Sequence, residues 1–414
     1  MLLTFGIPAL ALATLATSAS IQGRTYGQSP RAIYFLSTQQ PSAEVYALNV
    51  LSDGRVTAGS KTPLGPGGPD IDPAVITPIA PQGSIQVVDK VDCLRIPVRS
   101  TDTKLTLTQF LFAINAASNT VSMFEINISN PTKLTRIGNP VRTAQYPVSV
   151  TASLKNNLVC VANAGTPTGL SCASFSPSGI GKMDKLRPYF MPNEVPSSGT
   201  FNLVGDTFFS NDENAVFTTI MGNKTTFKGF LSAYPVIDDA VSDKQVTSSP
   251  AGSAFLYGAT NIPNTSEILV ADLFGGGAFI IDINAKLQGI TKSITNLPGQ
   301  LTSCWAEISS RTGSGYITDP NGEFIYEVDI QTGALLSRLG NVVGAIDFVP
   351  GGGFLYVTSA GNTTQTPDNV SIGPAIRVAD IRGGKGSIKD YQSFTPEGMT
   401  VAARGMAVFP ASSS

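Results

Sequence analysis

The 414-residue chain has no histidine. Without an imidazole, Ser-His-Asp and Cys-His nucleophilic systems are excluded, and so is a Cys₂His₂ zinc site. Charge is also scarce: 14% of residues are charged and the net charge is −2. Nothing in that balance attracts nucleic acid or an anionic membrane. After the N-terminal stretch no apolar run reaches the ~18 residues that a membrane helix needs, so no span is expected. Heptads are absent, and the end of the chain, Phe409-Pro410-Ala411 followed by serines, lacks the apolar tail of a lipid-anchor signal. The glycine triplets Gly275-Gly276-Gly277 and Gly351-Gly352-Gly353 lack the strand-to-helix context of phosphate loops. No cofactor or metal is expected, although Asp272, Glu307, Asp319 and Asp347 could supply the oxygens that calcium requires.

What is abundant is turn chemistry. The chain has 41 glycines and 28 prolines, placed in short clusters between apolar runs. The clearest unit is 313–335, GSGYITDPNGEFIYEVDIQTGAL. A short strand at 315–319 leads into Pro320-Asn321-Gly322, where Pro fixes φ and Asn and Gly accept positive φ. Phe324, Tyr326, Val328 and Ile330 then alternate with other residues at the strand period of two.

The same pattern recurs at 31–50, 110–126, 158–176, 215–236, 267–284 and 353–381. That makes seven hairpins at intervals of roughly 40–60 residues, the spacing of propeller blades. Each full copy has a leading strand before its hairpin. The first copy lacks one, and the chain ends with a leading strand, RGMAVFP, that has no hairpin. Residues 57–82 and 182–198 read as long loops. The economical solution is an all-β, seven-bladed propeller closed by pairing 406–409 with the first blade, which protects both sheet edges. Two β-sandwiches would also use short strands and frequent turns, but they explain neither the fixed strand order nor the leftover strand.

Residues 1–19 read as a secretory signal, an apolar stretch ending in small residues, and 20–414 as a single propeller domain. Secretion gives meaning to the sequons at Asn127, Asn223, Asn264, Asn362 and Asn369. Of the four cysteines, Cys160 and Cys172 flank a turn between two strand-like runs and are expected to form a disulfide. Cys93 and Cys304 either pair or remain thiols.

Several runs carry a family likeness: FLFAINAASNTVSMFEINISNPTKLTRIGNPV, YPVSVTASLKNNLVCVANAG, TSCWAEISSRTGSGYITD, GFLYVTSAG and RGMAVFP. They resemble the fungal secreted proteins called 3-carboxymuconate cyclase-like, in the wider group of seven-bladed propeller lactonases. The resemblance spans 31–410. It implies a propeller and a fungal secreted or cell-wall glycoprotein. Cyclases and lactonases of that group resemble one another in placing histidine, arginine and a carboxylate around the central channel. This chain has no such histidine, so no catalytic residue is carried over.

In a propeller the leading strands line the channel. That makes Glu307, Asp347 and Arg404 the candidates for chemistry, with Gln86, Ser149, Thr151 and Asp206 as further polar groups. Glu307 and Asp347 would form a carboxylate pair with at least one raised pKa, and Arg404 would neutralise it. Trp305 would stack on a ligand or pack into the core. The expectation is an extracellular, monomeric glycoprotein that binds a small molecule or a cell-surface partner without catalysis. The alternative is a lactonase, cyclase or isomerase acting on a small organic acid or lactone through a histidine-free channel site.

Overall fold

The apolar alternation builds seven antiparallel sheets. In the computed structural model the described residues are 29–39, 41–68, 83–92, 106–189, 191, 204–222, 227–274, 276–361 and 372–410. Among them are thirty strands and no helix. None of these elements is a helix long and apolar enough to cross a membrane. The expected signal at 1–19, Cys93 and the sequons at Asn223, Asn362 and Asn369 lie outside the described residues.

Blade 1 runs from its inner strand Ala403–Phe409 through Ala32–Ser37 and Ser42–Val50 to Val56–Pro66 at the rim. The inner strands of blades 2 to 7 are Ile85–Asp92, Pro147–Ser153, Val204–Phe209, Leu256–Asn261, Ala306–Ser309 and Ala345–Gly351. Each heads its own sheet, and successive strands of a blade are sheet neighbours. The closure pairs Ala32 with Phe409 and Ser37 with Ala403. The ring is thus closed by the C-terminal strand.

Apolar side chains are not pooled in one centre. Seven clusters lie between successive blades, such as Tyr34, Val45 and Phe124 between blades 1 and 2, and Phe348, Tyr316 and Leu355 between blades 6 and 7. Both faces of each sheet are therefore buried. The strands read as near-continuous apolar runs, and the ring axis is left to other side chains.

The hairpin at 313–335 supplies the two middle strands of blade 6, Ser314–Asp319 and Phe324–Asp329, and Leu335–Leu339 forms the rim outside them. Its turn differs from the expected one. Positive φ falls on Glu323, at 60°, not on Asn321 or Gly322. Gly322 is needed for space, because a Cβ there would sit 2.3 Å from Asp319 Oδ2. Asp319 uses its carboxylate to accept from Leu301 N and Thr302 N, each at 2.8 Å. Asp272 likewise accepts from Ala254 N at 2.8 Å and Phe255 N at 2.9 Å. Both carboxylates pin the segment leading into an inner strand, so their roles are structural. No group of three metal-ligating side chains occurs among the described residues.

The rim strands correct the loop reading of 57–82, since Val56–Pro66 is an eleven-residue strand. Its exposed middle carries no apolar alternation. Arg187–Pro188 likewise forms a short strand within 182–198.

Cys160 and Cys172 are bonded across directly opposed positions of the two middle strands of blade 3. Both are buried in the core shared with blade 4. Closing a loop of this size restrains the unfolded chain by about 3 kcal/mol. Cys160→Ser/Cys172→Ser is therefore expected to lower unfolding free energy by about 3 kcal/mol in a urea titration. An unchanged midpoint and slope would show that the staple contributes nothing.

Candidate functional site

A strand buried on both faces can present a polar group to the ring axis by breaking its own register. Five of the seven inner strands do so. Register shifts interrupt the pairing at Pro147/Ser149, Val204/Thr207, Leu256/Ala259 and Ala345/Asp347, and between Gly405 and Met406 opposite Phe35. Each is a bulge on the inner strand, a device that re-aims a side chain. The residues at or beside these bulges are Ser149, Asp206, Tyr257, Asp347 and Arg404. Blades 2 and 6 add Gln86 and Glu307 near the starts of their inner strands. Every blade thus contributes one polar residue to the same end of the ring.

Glycines let the strands approach closely. A Cβ on Gly258 would lie 2.6 Å from Trp305 Cα, and one on Gly405 would lie 2.4 Å from Ser84 Oγ. Gly83 is the clearest case. Although it precedes the inner strand of blade 2, its N–H donates to Asp347 Oδ2 of blade 7 at 3.4 Å. Its carbonyl accepts from Val150 N of blade 3 at 2.9 Å. A Cβ there would lie 2.7 Å from Ser149 Oγ, 2.8 Å from Asp206 Oδ1 and 3.0 Å from Trp305 Cη2. With φ at +63°, the backbone at Gly83 crosses the ring at the level of the carboxyls, and only glycine fits.

Asp206 accepts from Ser149 Oγ at 2.9 Å and from the backbone N–H groups of Thr207 and Ala259. Burial nevertheless pushes its carboxyl up to about 7, against those hydrogen bonds. Burial also raises Glu307 well above the usual carboxylate range, and the nearby charges of Asp206 and Asp347 add to the effect. Trp305 Nε1 and Thr260 Oγ1 donate to Glu307, whose side chain keeps part of its surface open. Asp347 is raised chiefly by burial, with Asp206 contributing. A charge on Asp206 thus disfavours ionisation of both Glu307 and Asp347.

Arg404 is 8% exposed. Burial pushes its guanidinium down to about 10, and Tyr257, Cys304 and Asp347 act in the other direction. Its Nη1 donates to the carbonyls of Val401 and Ala403, both at 2.7 Å. Its buried Nε has no partner among the described residues. Burial also raises the Tyr257 phenol.

Of the sequence candidates, Asp347 is brought within electrostatic reach of Asp206 and Arg404, and Glu307 within reach of Asp206 and Asp347, while Ser149 and Trp305 contact the same set. Gln86 instead spends its Oε1 on Ala152 N at 2.5 Å, linking blades 2 and 3. Thr151 is buried on the inner strand of blade 3. Sequence reasoning missed Gly83, Tyr257 and Thr260. A glycine directly beside a polar residue in an inner strand, as in Gly205-Asp206, Tyr257-Gly258 and Arg404-Gly405, is the signal that would have found Tyr257.

No family model matches the chain, and no curated protein matches it in sequence. Solved structures do. A candidate 6-phosphogluconolactonase from Bacteroides fragilis superposes with a TM-score of 0.63 at 11% identity, covering 91% of this chain and 97% of that one. The periplasmic gluconolactonase PpgL of Pseudomonas aeruginosa gives 0.57 at 15% identity, covering 91% and 99%. A protein from Lactobacillus plantarum gives 0.61 at 12% identity, covering 92% and 100%. At these identities the likeness shows the fold. The chain is a seven-bladed β-propeller, similar in architecture to propeller lactonases.

A carboxyl whose pKa rises on folding holds its proton more tightly when folded. Its stabilising effect is complete below the unfolded value and is lost as pH rises through the folded one. For Asp206 that window runs from its ordinary 3.8 to about 7, worth about 4 kcal/mol at most. Glu307 and Asp347 act with the same sign. Unfolding free energy is therefore expected to fall between pH 4.5 and 7.5, with a shallower fall in Asp206→Asn. A rise over that interval in wild-type urea titrations would contradict the assigned burial.

Proposed function

We propose that this chain is a lactonase-type propeller enzyme that opens a small lactone ring without histidine. The observation that carries this reading is the convergence of Asp206, Glu307, Asp347 and Arg404, each delivered by a different inner strand. The propeller lactonases supply a likeness of fold, which is support by analogy alone.

The chemistry follows from the raised carboxyls and the guanidinium beside them. Asp206, poised at about 7, is the general base that takes a proton from water as the water oxygen bonds to the lactone carbonyl carbon. Arg404 offers its guanidinium to the oxygen on which negative charge develops. Glu307, held protonated, gives its proton to the ring oxygen as the carbon–oxygen bond breaks. The proton on Asp206 restores Glu307, and the product is a hydroxy acid. Ser149 is a positioning residue that orients the Asp206 carboxylate through its 2.9 Å hydrogen bond.

Hydrolysis of D-glucono-1,5-lactone above its spontaneous rate is expected to increase with pH through about 7, as Asp206 ionises. Asp206→Asn should lower kcat by roughly 10²–10⁴-fold, and Arg404→Met by roughly 10²–10³-fold. Activity retained in both folded variants would remove this assignment. Lactone binding without turnover would return the chain to a binding role.

The extracellular reading rests on the N-terminal stretch and the sequons. Asn127 and Asn264 both lie exposed next to turns, which suits glycan attachment. This agrees with the resemblance to fungal secreted cyclase-like proteins. Expressed with its own N-terminus in a fungal host, the protein should reach the medium and lose mass on endoglycosidase treatment. Retention inside the cell with no glycan would overturn the assignment.

A further inference from the structure

The charge around the site says what kind of molecule it suits. Among the described side chains of the seven inner strands, Arg404 is the one cationic group, against Asp89, Asp206, Glu307 and Asp347. In an antiparallel blade the connection entering the inner strand and the turn between the two middle strands lie on the same face. The polar residues gather at this face, near the starts of the inner strands. The entering connections 143–146, 249–255, 296–305, 340–344 and 395–402 contain no lysine or arginine, and the last carries Glu397. The turns 116–119, 164–168 and 320–323 contain none either. On the described part of the blade 4 turn, Lys228 is exposed to solvent. Lys61, on the rim strand of blade 1, lies over the Tyr46 ring, 4.7 Å from its centroid.

Arg404 is one guanidinium, with Nε left for a ligand oxygen. Its Nη1 is spent on two backbone carbonyls, and its charge already faces Asp347. A phosphate dianion or a polycarboxylate brought beside it would lose its hydration against a single described guanidinium, and would add charge beside any axial acid that ionises. Neutral hydrogen-bonding capacity, in contrast, is plentiful. Besides Arg404 Nε, the buried hydroxyls of Ser84 and Ser303 have no partner among the described residues. Both serines lie on segments entering inner strands, and Ser84 is adjacent to Gly83 and packed against Gly405. Carboxyls that hold their protons act as hydroxyl-like donors and acceptors.

We infer that the site takes an uncharged, polyhydroxylated lactone and discriminates against phosphorylated and polycarboxylate ligands. This rests on the lactonase reading for the word lactone, while the ligand class rests on charge and hydrogen-bonding groups alone. The inference therefore separates the sugar-lactone chemistry of the structural neighbours into its phosphorylated and unphosphorylated forms and assigns this chain to the second. It also disfavours the anionic muconate substrates that the sequence resemblance brings with it.

The test uses the full chain. Trp305 is the sole tryptophan and its indole donates to Glu307, so its emission reports on the site, with calorimetry as an independent measurement. The probes are 1,5-anhydroglucitol, a neutral ring polyol that cannot be hydrolysed, and its 6-phosphate. In parallel, turnover is compared for glucono-1,5-lactone and its 6-phosphate. The expected result is at least tenfold tighter binding of the neutral probe, and at least tenfold higher kcat/KM for the neutral lactone if there is turnover. Equal or tighter binding of the phosphate, or no binding of the neutral probe by either measurement, overturns the inference. Turnover that favours the phosphorylated lactone overturns it too, yet leaves the lactonase reading standing. Selective binding of the neutral probe with no turnover of either lactone does the reverse.

Discussion

The pairing of Ala403–Phe409 with Ala32–Ser37 is the contact on which the rest of the structure depends. A propeller has no central apolar core, and here stability comes from clusters between neighbouring sheets. Those clusters form a complete cycle only if the first and last blades are held together. Without the C-terminal strand, blade 1 would lose its inner strand and expose a sheet edge. The face of blade 7 that packs Tyr356 and Val378 against Ile33 and Val408 would be uncovered as well. The same strand carries Arg404. Closing the ring and placing the cation at its axis are one event.

The site then follows from a conflict between burial and ionisation. Sheets packed on both faces leave only the axial ends of the inner strands for polar groups, and those ends are crowded. Three carboxyls placed there cannot all ionise without large desolvation and repulsion costs. Part of the cost is met by donors. Ser149 and two backbone N–H groups serve Asp206, Trp305 and Thr260 serve Glu307, and Gly83 serves Asp347. The remainder shows as raised pKa values. Elsewhere the protein uses acids differently. Glu327 is fully buried, yet it accepts from Tyr316 Oη at 3.2 Å, Ser337 Oγ at 2.8 Å and Gly386 N at 3.0 Å, clamping blade 6 to blade 7. A well-satisfied buried acid holds structure, whereas the axial acids are grouped with one another and their carboxyls are raised.

The repeat was legible in the sequence because burial on both faces writes it in apolar runs. FLFAIN, LVCVAN and GFLYVTSA could hardly be anything else, and the unmatched RGMAVFP fixed the closure. The inner-strand acids were legible for the same reason, since one charged residue stands out in VGAIDFV or TSCWAEIS. The rim strands were not. Val56–Pro66 has a mostly exposed middle, and its place is set by pairing with Ser42–Val50 rather than by any pattern of its own. Bulges were also invisible, because a register shift is a property of two strands. Tyr257 was hidden by them. In SAFLYGAT it reads as one more apolar-phase aromatic, and only the bulge at Leu256/Ala259 sets it beside Arg404 and Asp347.

The absence of histidine acquires a physical meaning in this arrangement. An imidazole provides a proton acceptor near neutrality with no need of a special environment. A carboxyl reaches the same range only when burial and neighbouring charge raise it by several powers of ten in affinity for the proton. The ring supplies both, at a cost in stability that increases toward neutral pH. Gly83 ties the two sides of this exchange together. Its backbone crosses the axis, donates to Asp347 and lies against Asp206 and Trp305, adding to the burial that raises these acids. Raising the axial acids and joining opposite sides of the ring are therefore the same structural act, performed by a residue with no side chain.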